Sequence, residues 1–226
     1  MIWFDWTIII MIPAILLGLI VQIRLSTTYS RYSKVQSRTG MTGYTAARRI
    51  LDAAGLRHVP IECIQGELTD HFDPRSNVLR LSNGVYNSSS VAAIGVAAHE
   101  CGHAIQYAEE YTPMKVRGAL VKVTNFSSSI SMFIVILGLI FSFRELALVG
   151  VALFSVVVLF QLVTLPVEFN ASRRAVKILD GYMDREELSG VKSVLSAAAM
   201  TYVAALITSL AQLFRLILLF GRRDED

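Results

Sequence analysis

The chain has 226 residues, of which 54% are hydrophobic and 17% are charged, and its mean hydropathy is +0.52. This composition is too apolar for an ordinary soluble domain and indicates a membrane protein. The net charge is only +3, and the Lys and Arg residues lie beside apolar segments, so the composition argues against nucleic-acid binding. Two cysteines, Cys63 and Cys101, do not support a disulfide framework and suit a reducing compartment.

Four apolar segments are candidate membrane spans. The first, Thr7–Ile23, would extend over roughly 26 Å as a helix, and we interpret it as a retained anchor because Asp5 and no basic residue precede it. The second and third, residues 124–143 and 146–165, have only Arg144 and Glu145 between them and predict a tight helical hairpin. The fourth, residues 194–220, contains polar residues, so its depth in the membrane stays open.

A mixed segment between the first two spans is large enough for a small domain. Thr42–Ala54 has helical spacing, and Val59–Ile64 and Asn77–Leu81 look extended, with a turn between them. Asn87, Ser88, Ser89 and Ser90 all offer N-cap oxygens, which predicts a buried helix from about Ser90 to about Glu110.

The predicted buried helix contains the sequence His99-Glu100-Cys101-Gly102-His103. Residues four apart lie about 40° apart around a helix, so both imidazoles can bind one Zn²⁺. Glu100 is adjacent and can act as general base on the attacking water. The alternative is a pair of core histidines, which is disfavoured because burying these groups without a metal is costly.

A catalytic zinc takes three protein ligands and keeps an open position. No histidine follows the motif, since His58 and His71 lie upstream, so we expect a carboxylate, Glu168, at the end of the third apolar segment. A Glu at a membrane border is costly and indicates function. The alternative is an interfacial carboxylate paired with Arg173 or Arg174.

Basic residues predict the orientation. They cluster after the first span, before the second and after the third, so by the positive-inside bias the site faces the cytoplasm. Two spans between His103 and Glu168 also return the chain to one side. After a fourth span, Arg222 and Arg223 would lie on the non-cytoplasmic side of the membrane. Either the fourth segment does not cross fully, or these two residues are an exception to the positive-inside bias.

Five stretches of the chain resemble bacterial neutral zinc metallopeptidases, the YugP-like membrane proteases. They are Gly66–Arg75, Val78–Ser82, Ala97–Gln106, Thr164–Ser172 and Ala197–Tyr202. The resemblance extends from about Gly43 to Leu206 and implies a multi-pass zinc peptidase of the bacterial cytoplasmic membrane.

The arrangement also resembles HtpX-type and prenyl-protein proteases, in which a Glu-x-x-Ala-Asp helix supplies the third ligand. This resemblance assigns Glu168 to that role, but Ser172 replaces the Asp that orients a ligating histidine. A serine can accept an imidazole N–H bond without adding negative charge. Asn170 or Asp180 could substitute for it, and Cys101 is interpreted as a packing residue.

Three further features have two interpretations each. Asp70, His71 and Asp73 form either a second metal site or a solvated turn. The strand over Asn77–Ser82 is either an edge for a peptide substrate or a core strand. Tyr202 is either an oxyanion donor or an interface anchor.

These inferences predict a mainly α membrane protein with about four transmembrane helices and a small α+β zincin-like insertion that carries the histidine helix. We expect a membrane-bound zinc endopeptidase with one Zn²⁺ per chain on His99, His103 and Glu168, and with Glu100 as general base. Its substrates would be peptides or proteins, membrane proteins included. The alternatives are a non-catalytic zinc-containing scaffold or assembly factor and, last, a small transporter using Glu168, Gln212 and Arg215.

The predicted division of the chain has five parts. They are a transmembrane anchor (1–23), a cytoplasmic metallopeptidase region (24–123), a transmembrane helical hairpin (124–169), a cytoplasmic helix with the third zinc ligand at its start (170–193) and a fourth transmembrane or interfacial helix (194–221).

Overall fold

The computed structural model of the chain describes residues 6–221. A short 3₁₀ helix is followed by seven α-helices and three strands, which in chain order are Trp6–Ile10 (3₁₀), α1 (Met11–Tyr32), α2 (Gly43–Ala53), β1 (Ile61–Ile64), β2 (His71–Asp73), β3 (Val78–Ser82), α3 (Asn83–Tyr86), α4 (Val91–Ala108), α5 (Thr112–Ile140), α6 (Arg144–Leu179) and α7 (Arg185–Gly221). Asp5, Arg222 and Arg223, which entered the predictions of anchor and orientation, lie outside the described residues.

Within residues 6–221, four helical segments are long and apolar enough to cross a membrane. They are Thr7–Tyr32, Thr112–Ile140, Arg144–Leu179 and Arg185–Phe220. Large side chains such as Ile20, Phe133 and Phe141 are more than half exposed, as expected of residues that face lipid. The prediction of a mainly helical protein with about four candidate membrane spans is confirmed, and each helix is longer than its apolar segment suggested.

The chain forms two compact units. The first comprises the described residues up to Gln22, then Val116–Leu165, then the chain from Thr201 onward. Within it α5 and α6 form the predicted tight hairpin. A methyl group added at Gly138 would lie 2.6 Å from the Ala147 backbone nitrogen, and one at Gly150 would lie 2.6 Å from the Val135 side chain, so the two helices touch through their backbones.

The second unit comprises Ile23–Lys115 and Pro166–Met200. Its three strands pair in the order β1-β3-β2, with β1 parallel and β2 antiparallel to β3. The interpretation of residues 77–82 as an edge strand is therefore wrong, because β3 is central. β2 lies where the sequence indicated only a turn, since its three residues have one buried side chain, Phe72, and are too few for a visible alternation.

The local signals for α2 and α4 are confirmed. Thr42 caps α2 in a reciprocal capping box with Thr45, and the Ser90 side chain accepts from the Ala93 amide at the start of α4. Most of α4 is buried, because its small apolar residues pack in the core of this unit with α2, the sheet and the adjoining part of α6.

Residues 170–193 do not form the separate helix that was predicted. α6 continues through Pro166 to Leu179, and α7 begins at Arg185, where the Asp184 carboxylate accepts from the Glu187 amide. The sequence changes from apolar to charged residues near Glu168, but the helix does not end there. A single proline costs one backbone hydrogen bond, which a long and well-packed helix tolerates.

Candidate metal centre

His99 and His103 lie side by side on α4, one turn apart. Their ring centroids are 4.7 Å apart with nearly perpendicular planes. Glu168 Oε2 lies 3.3 Å from His99 Nε2 and 3.6 Å from His103 Nε2. One ligand atom from each of the three residues lies within 4.8 Å of the others, so the structure brings the three predicted ligands together.

A close contact between α4 and α6 makes this convergence possible. A methyl group on Gly102 would lie 2.8 Å from the Ala171 carbonyl oxygen, so the helices touch backbone to backbone. Ala171 follows Glu168 by three residues and shares its helix face. The short glutamate side chain can therefore reach both imidazoles from the neighbouring helix.

Gln106 determines which nitrogen of His103 carries the hydrogen. Its Nε2 lies 2.8 Å from the Val167 carbonyl oxygen, which can only accept, and also donates to Asn170 Oδ1 at 2.9 Å. Its Oε1 is therefore the atom that lies 3.0 Å from His103 Nδ1. Because an amide oxygen can only accept, His103 must donate from Nδ1, and Nε2 of the neutral ring is left as an acceptor.

Two acceptors then face each other at the centre, His103 Nε2 and Glu168 Oε2. Glu168 is only 2% exposed and His103 only 7%. Burial alone would lower the pKa of His103, but a protonated ring could donate from Nε2 to Glu168 and is attracted by the charge of Glu100, and these effects outweigh burial and raise the pKa. The cluster thus attracts positive charge, and two imidazoles with one carboxylate are a donor set that fits Zn²⁺.

Ser172 supports the other histidine. Its Oγ lies 3.2 Å from His99 Nδ1, so it can accept the Nδ1 hydrogen and leave Nε2 for a metal. Asn170 does not take this place, because it accepts from Gln106 and from Arg174 Nε. Arg174 in turn pairs with Glu109 at 2.7 Å, outside the ligand set.

Glu100 lies on the same turn of α4 and is 8% exposed. Its Oε2 accepts from the Phe72 amide of β2 at 3.2 Å. Burial raises the pKa of its carboxyl, although the nearby charges of His103 and His99 act in the opposite direction. A carboxylate with a raised pKa is suited to accept and return a proton.

The other candidate residues have structural roles in the second unit. Asp70 accepts from the Ser82 amide at 2.7 Å, and Asp73 pairs with Arg80 at 2.9 Å. His71 is exposed and contacts the Thr69 carbonyl, so no second three-residue ligand group forms in the described part of the chain. The Cys101 thiol is buried against the Ala47 carbonyl, and burial raises its pKa, as expected for a packing residue.

Sequence reasoning missed two residues that shape the centre, Gln106 and Phe72. Gln106 lies three residues after His103 and seven after His99, so helical spacing placed it on the same face. Phe72 carried no signal, because its role is a backbone N–H. Tyr202 lies in the first unit, and its oxyanion role stays a prediction.

The fold and the site define a class: a mainly helical, membrane-associated protein with a candidate metal centre of two histidines and one glutamate. Residues 7–221 match the family model described as "Putative neutral zinc metallopeptidase", and the chain belongs to this family. It is similar to the "Putative membrane protease YugP" of Bacillus subtilis (strain 168), with 45% identity over 222 residues, 97% of this chain and 99% of that protein. No solved structure matches the chain.

Proposed function

We propose that this chain is a membrane-bound zinc endopeptidase that binds one Zn²⁺ on His99, His103 and Glu168. The observation that carries the proposal is the geometry at Glu168: two imidazoles on one helix face a buried carboxylate on another, within ligand distance of one cation. The family description and the relative's name support the same class of activity.

Zinc, when bound, would supply Lewis-acid polarisation and an activated nucleophile. Glu100 would take a proton from the water that attacks the scissile carbonyl and pass it to the leaving amine. The Phe72 amide holds Glu100 Oε2, which leaves Oε1 to carry that proton. Gln106 and Ser172 keep the Nδ1 hydrogens on the two rings, so that both Nε2 atoms point toward Glu168.

The proposed setting is the bacterial cytoplasmic membrane, with the site on the cytoplasmic side. The distribution of basic residues supports this orientation. The substrates would be peptides or proteins, membrane proteins included. The arrangement of α4 beside a small mixed sheet, with β2 as an edge strand next to Glu100, supports the zincin-like description.

Purified full-length protein tests the proposal through zinc content and cleavage of casein and of membrane-derived peptides. We expect about one zinc per chain in the wild type and in Glu100→Gln, with cleavage about 10²- to 10⁴-fold slower in the variant because the proton acceptor is lost. Glu110→Gln is the matched control, since Glu110 is exposed and pairs with Lys115. Equal cleavage by wild type and Glu100→Gln would remove Glu100 from the mechanism.

A second candidate is a zinc-containing scaffold or assembly factor without catalysis. The Gln106 network favours it, because it joins α4 to α6 and a metal there would strengthen the same contact. It predicts no loss of function in Glu100→Gln and unfolding of the second unit in His99→Ala. A transporter role for Glu168 has less support, since Glu168 already pairs with both histidines.

A further inference from the structure

An open groove of about 500 Å³ lies between the last third of α6 and the first part of α7, in the second unit. We call it the α6/α7 groove. Its floor is apolar and includes Val176, Leu188 and Leu195. Its rim carries four charged side chains, which are Arg173, Lys177, Lys192 and Asp180.

The groove adjoins the candidate metal centre. Ser172, whose hydroxyl contacts His99 Nδ1 at 3.2 Å, is one of its lining residues. Phe169, the neighbour of Glu168, is another. A chain lying in the groove would therefore pass beside two residues that neighbour the candidate ligands His99 and Glu168.

Several cations of this unit are already neutralised by a carboxylate. Arg38, Arg48, Arg80 and Arg174 are each paired with a carboxylate. Among the described residues, Lys177 and Lys192 form no ion pair within 4.0 Å, and Asp180 forms none either. Three cations against one carboxylate leave an excess of positive charge over an apolar floor.

We propose that the α6/α7 groove is a specificity subsite for an acidic segment of the peptide substrate. An apolar side chain of the substrate would cover the floor, and a Glu or Asp beside it would lie among the three cations. Basic segments would be repelled. This inference rests on the proposed peptidase function, because it assigns the groove to the substrate of that site.

An anionic phospholipid headgroup has similar chemistry and would also suit cations near a membrane border. The peptide is favoured because the groove shares Ser172 with the candidate metal centre, beside which a peptide substrate would bind. The experiment below separates the two ligands.

The test uses full-length, zinc-loaded protein in neutral detergent and a library of natural peptides whose cleavage sites are mapped. We expect acidic residues to be enriched near the cleaved bond. In matched peptides that differ by Glu or Gln at the enriched position, kcat/KM should be about two- to fivefold higher per cation engaged, as for partly exposed ion pairs. The preference should shrink at high salt, because exposed charges are screened.

Charge reversal sharpens the test. Lys177→Glu and Lys192→Glu should lower the ratio of kcat/KM for the Glu peptide to that for the Gln peptide, and should raise the same ratio for a Lys peptide. Lys34→Glu is the control, since Lys34 is an exposed lysine of the same unit that does not line the groove. Equal zinc content and circular dichroism would show that all three variants fold.

Three results would overturn the inference. Cleavage by the wild type without acidic enrichment would remove the subsite and leave the peptidase intact. Lipid would be assigned to the groove if cleavage were unselective but required phosphatidylglycerol nanodiscs, and if Lys192→Glu no longer required them. No cleavage of any peptide by zinc-loaded protein would remove the peptidase function and the subsite together.

Discussion

The two units of this protein use the same packing device with different results. In the first, Gly138 and Gly150 bring α5 and α6 into backbone contact, and apolar residues surround the contact. In the second, Gly102 brings α4 against α6 at Ala171, and the residues beside it are His99, His103 and Glu168. A close helix contact is therefore not functional by itself. The neighbouring side chains decide whether such a contact only packs two helices together or also assembles a candidate metal centre.

Among the substitutions considered, Glu168→Gln should have the largest effect, and that effect should fall on the second unit. We expect zinc affinity to fall by more than the roughly 10- to 100-fold that a supporting residue contributes, and peptide cleavage to be lost with it. The reason is that the neutral amide does not supply the negative charge that a buried cation beside two imidazoles requires. Zinc titration of the purified variant measures the loss. Glu145→Gln on the same helix is exposed and should bind zinc like the wild type. Unchanged zinc affinity in Glu168→Gln would contradict the ligand assignment.

Gln106→Leu should lower zinc affinity about 10- to 100-fold, because His103 would lose the acceptor that keeps its hydrogen on Nδ1. Among the described residues, that nitrogen has one hydrogen-bond partner, Gln106 Oε1 at 3.0 Å. Competition with a zinc-binding dye measures the affinity. Gln65→Leu, in the loop after β1, serves as control and should have no effect. A Gln106 variant that retains wild-type zinc affinity would show that the ring needs no such support.

Gly102→Ala and Gly138→Ala test the packing device itself. Both added methyl groups meet backbone atoms at 2.6 to 2.8 Å, so each should destabilise its unit by about 1–3 kcal/mol. Only Gly102→Ala should also weaken zinc binding, because only that contact carries the ligands. Thermal unfolding with and without zinc measures both effects, with Gly84→Ala, where a methyl meets nothing within 4 Å, as the control. Equal losses of zinc affinity in the two variants would contradict the comparison.

Asp73→Asn should have the smallest effect and only in the second unit. Hydrogen bonds from Arg80 and Ser76 hold the pKa of Asp73 well below its usual value. The contribution of Asp73 to the free energy of unfolding is therefore complete above the unfolded pKa of about 3.9, and it is lost progressively as the pH falls from there towards the lower pKa of the folded state. At pH 7 we expect a loss of about 1 kcal/mol. The difference between wild type and variant should shrink in unfolding measurements carried towards pH 3. A difference that grows on acidification would contradict this sign.

Several parts of the fold and site could be predicted because their signals are local. The candidate caps at residues 87–90 and the small apolar residues after them predicted α4 within two residues at each end. The spacing of His99 and His103 placed both rings on one face, and the apolar segments marked four long helices. Glu168 came from its cost at a membrane border and from the resemblance to HtpX-type proteases.

Other parts depended on contacts between segments distant in the chain, which leave no periodic pattern. The order of the sheet placed β3 at its centre and β2 at its edge, where the Phe72 amide meets Glu100. The continuation of α6 through Pro166 depended on packing along its length.

The amino-acid sequence by itself determined that four long apolar helices form, and it determined the types and spacing of the candidate metal ligands, because these follow from properties of single residues and their neighbours. Only the tertiary structure decided that Gly102 touches Ala171, that Gln106 assigns the His103 hydrogen and that basic residues of α6 and α7 share a groove. The physical reason is that each of these depends on the distance between two helices, which no single segment specifies.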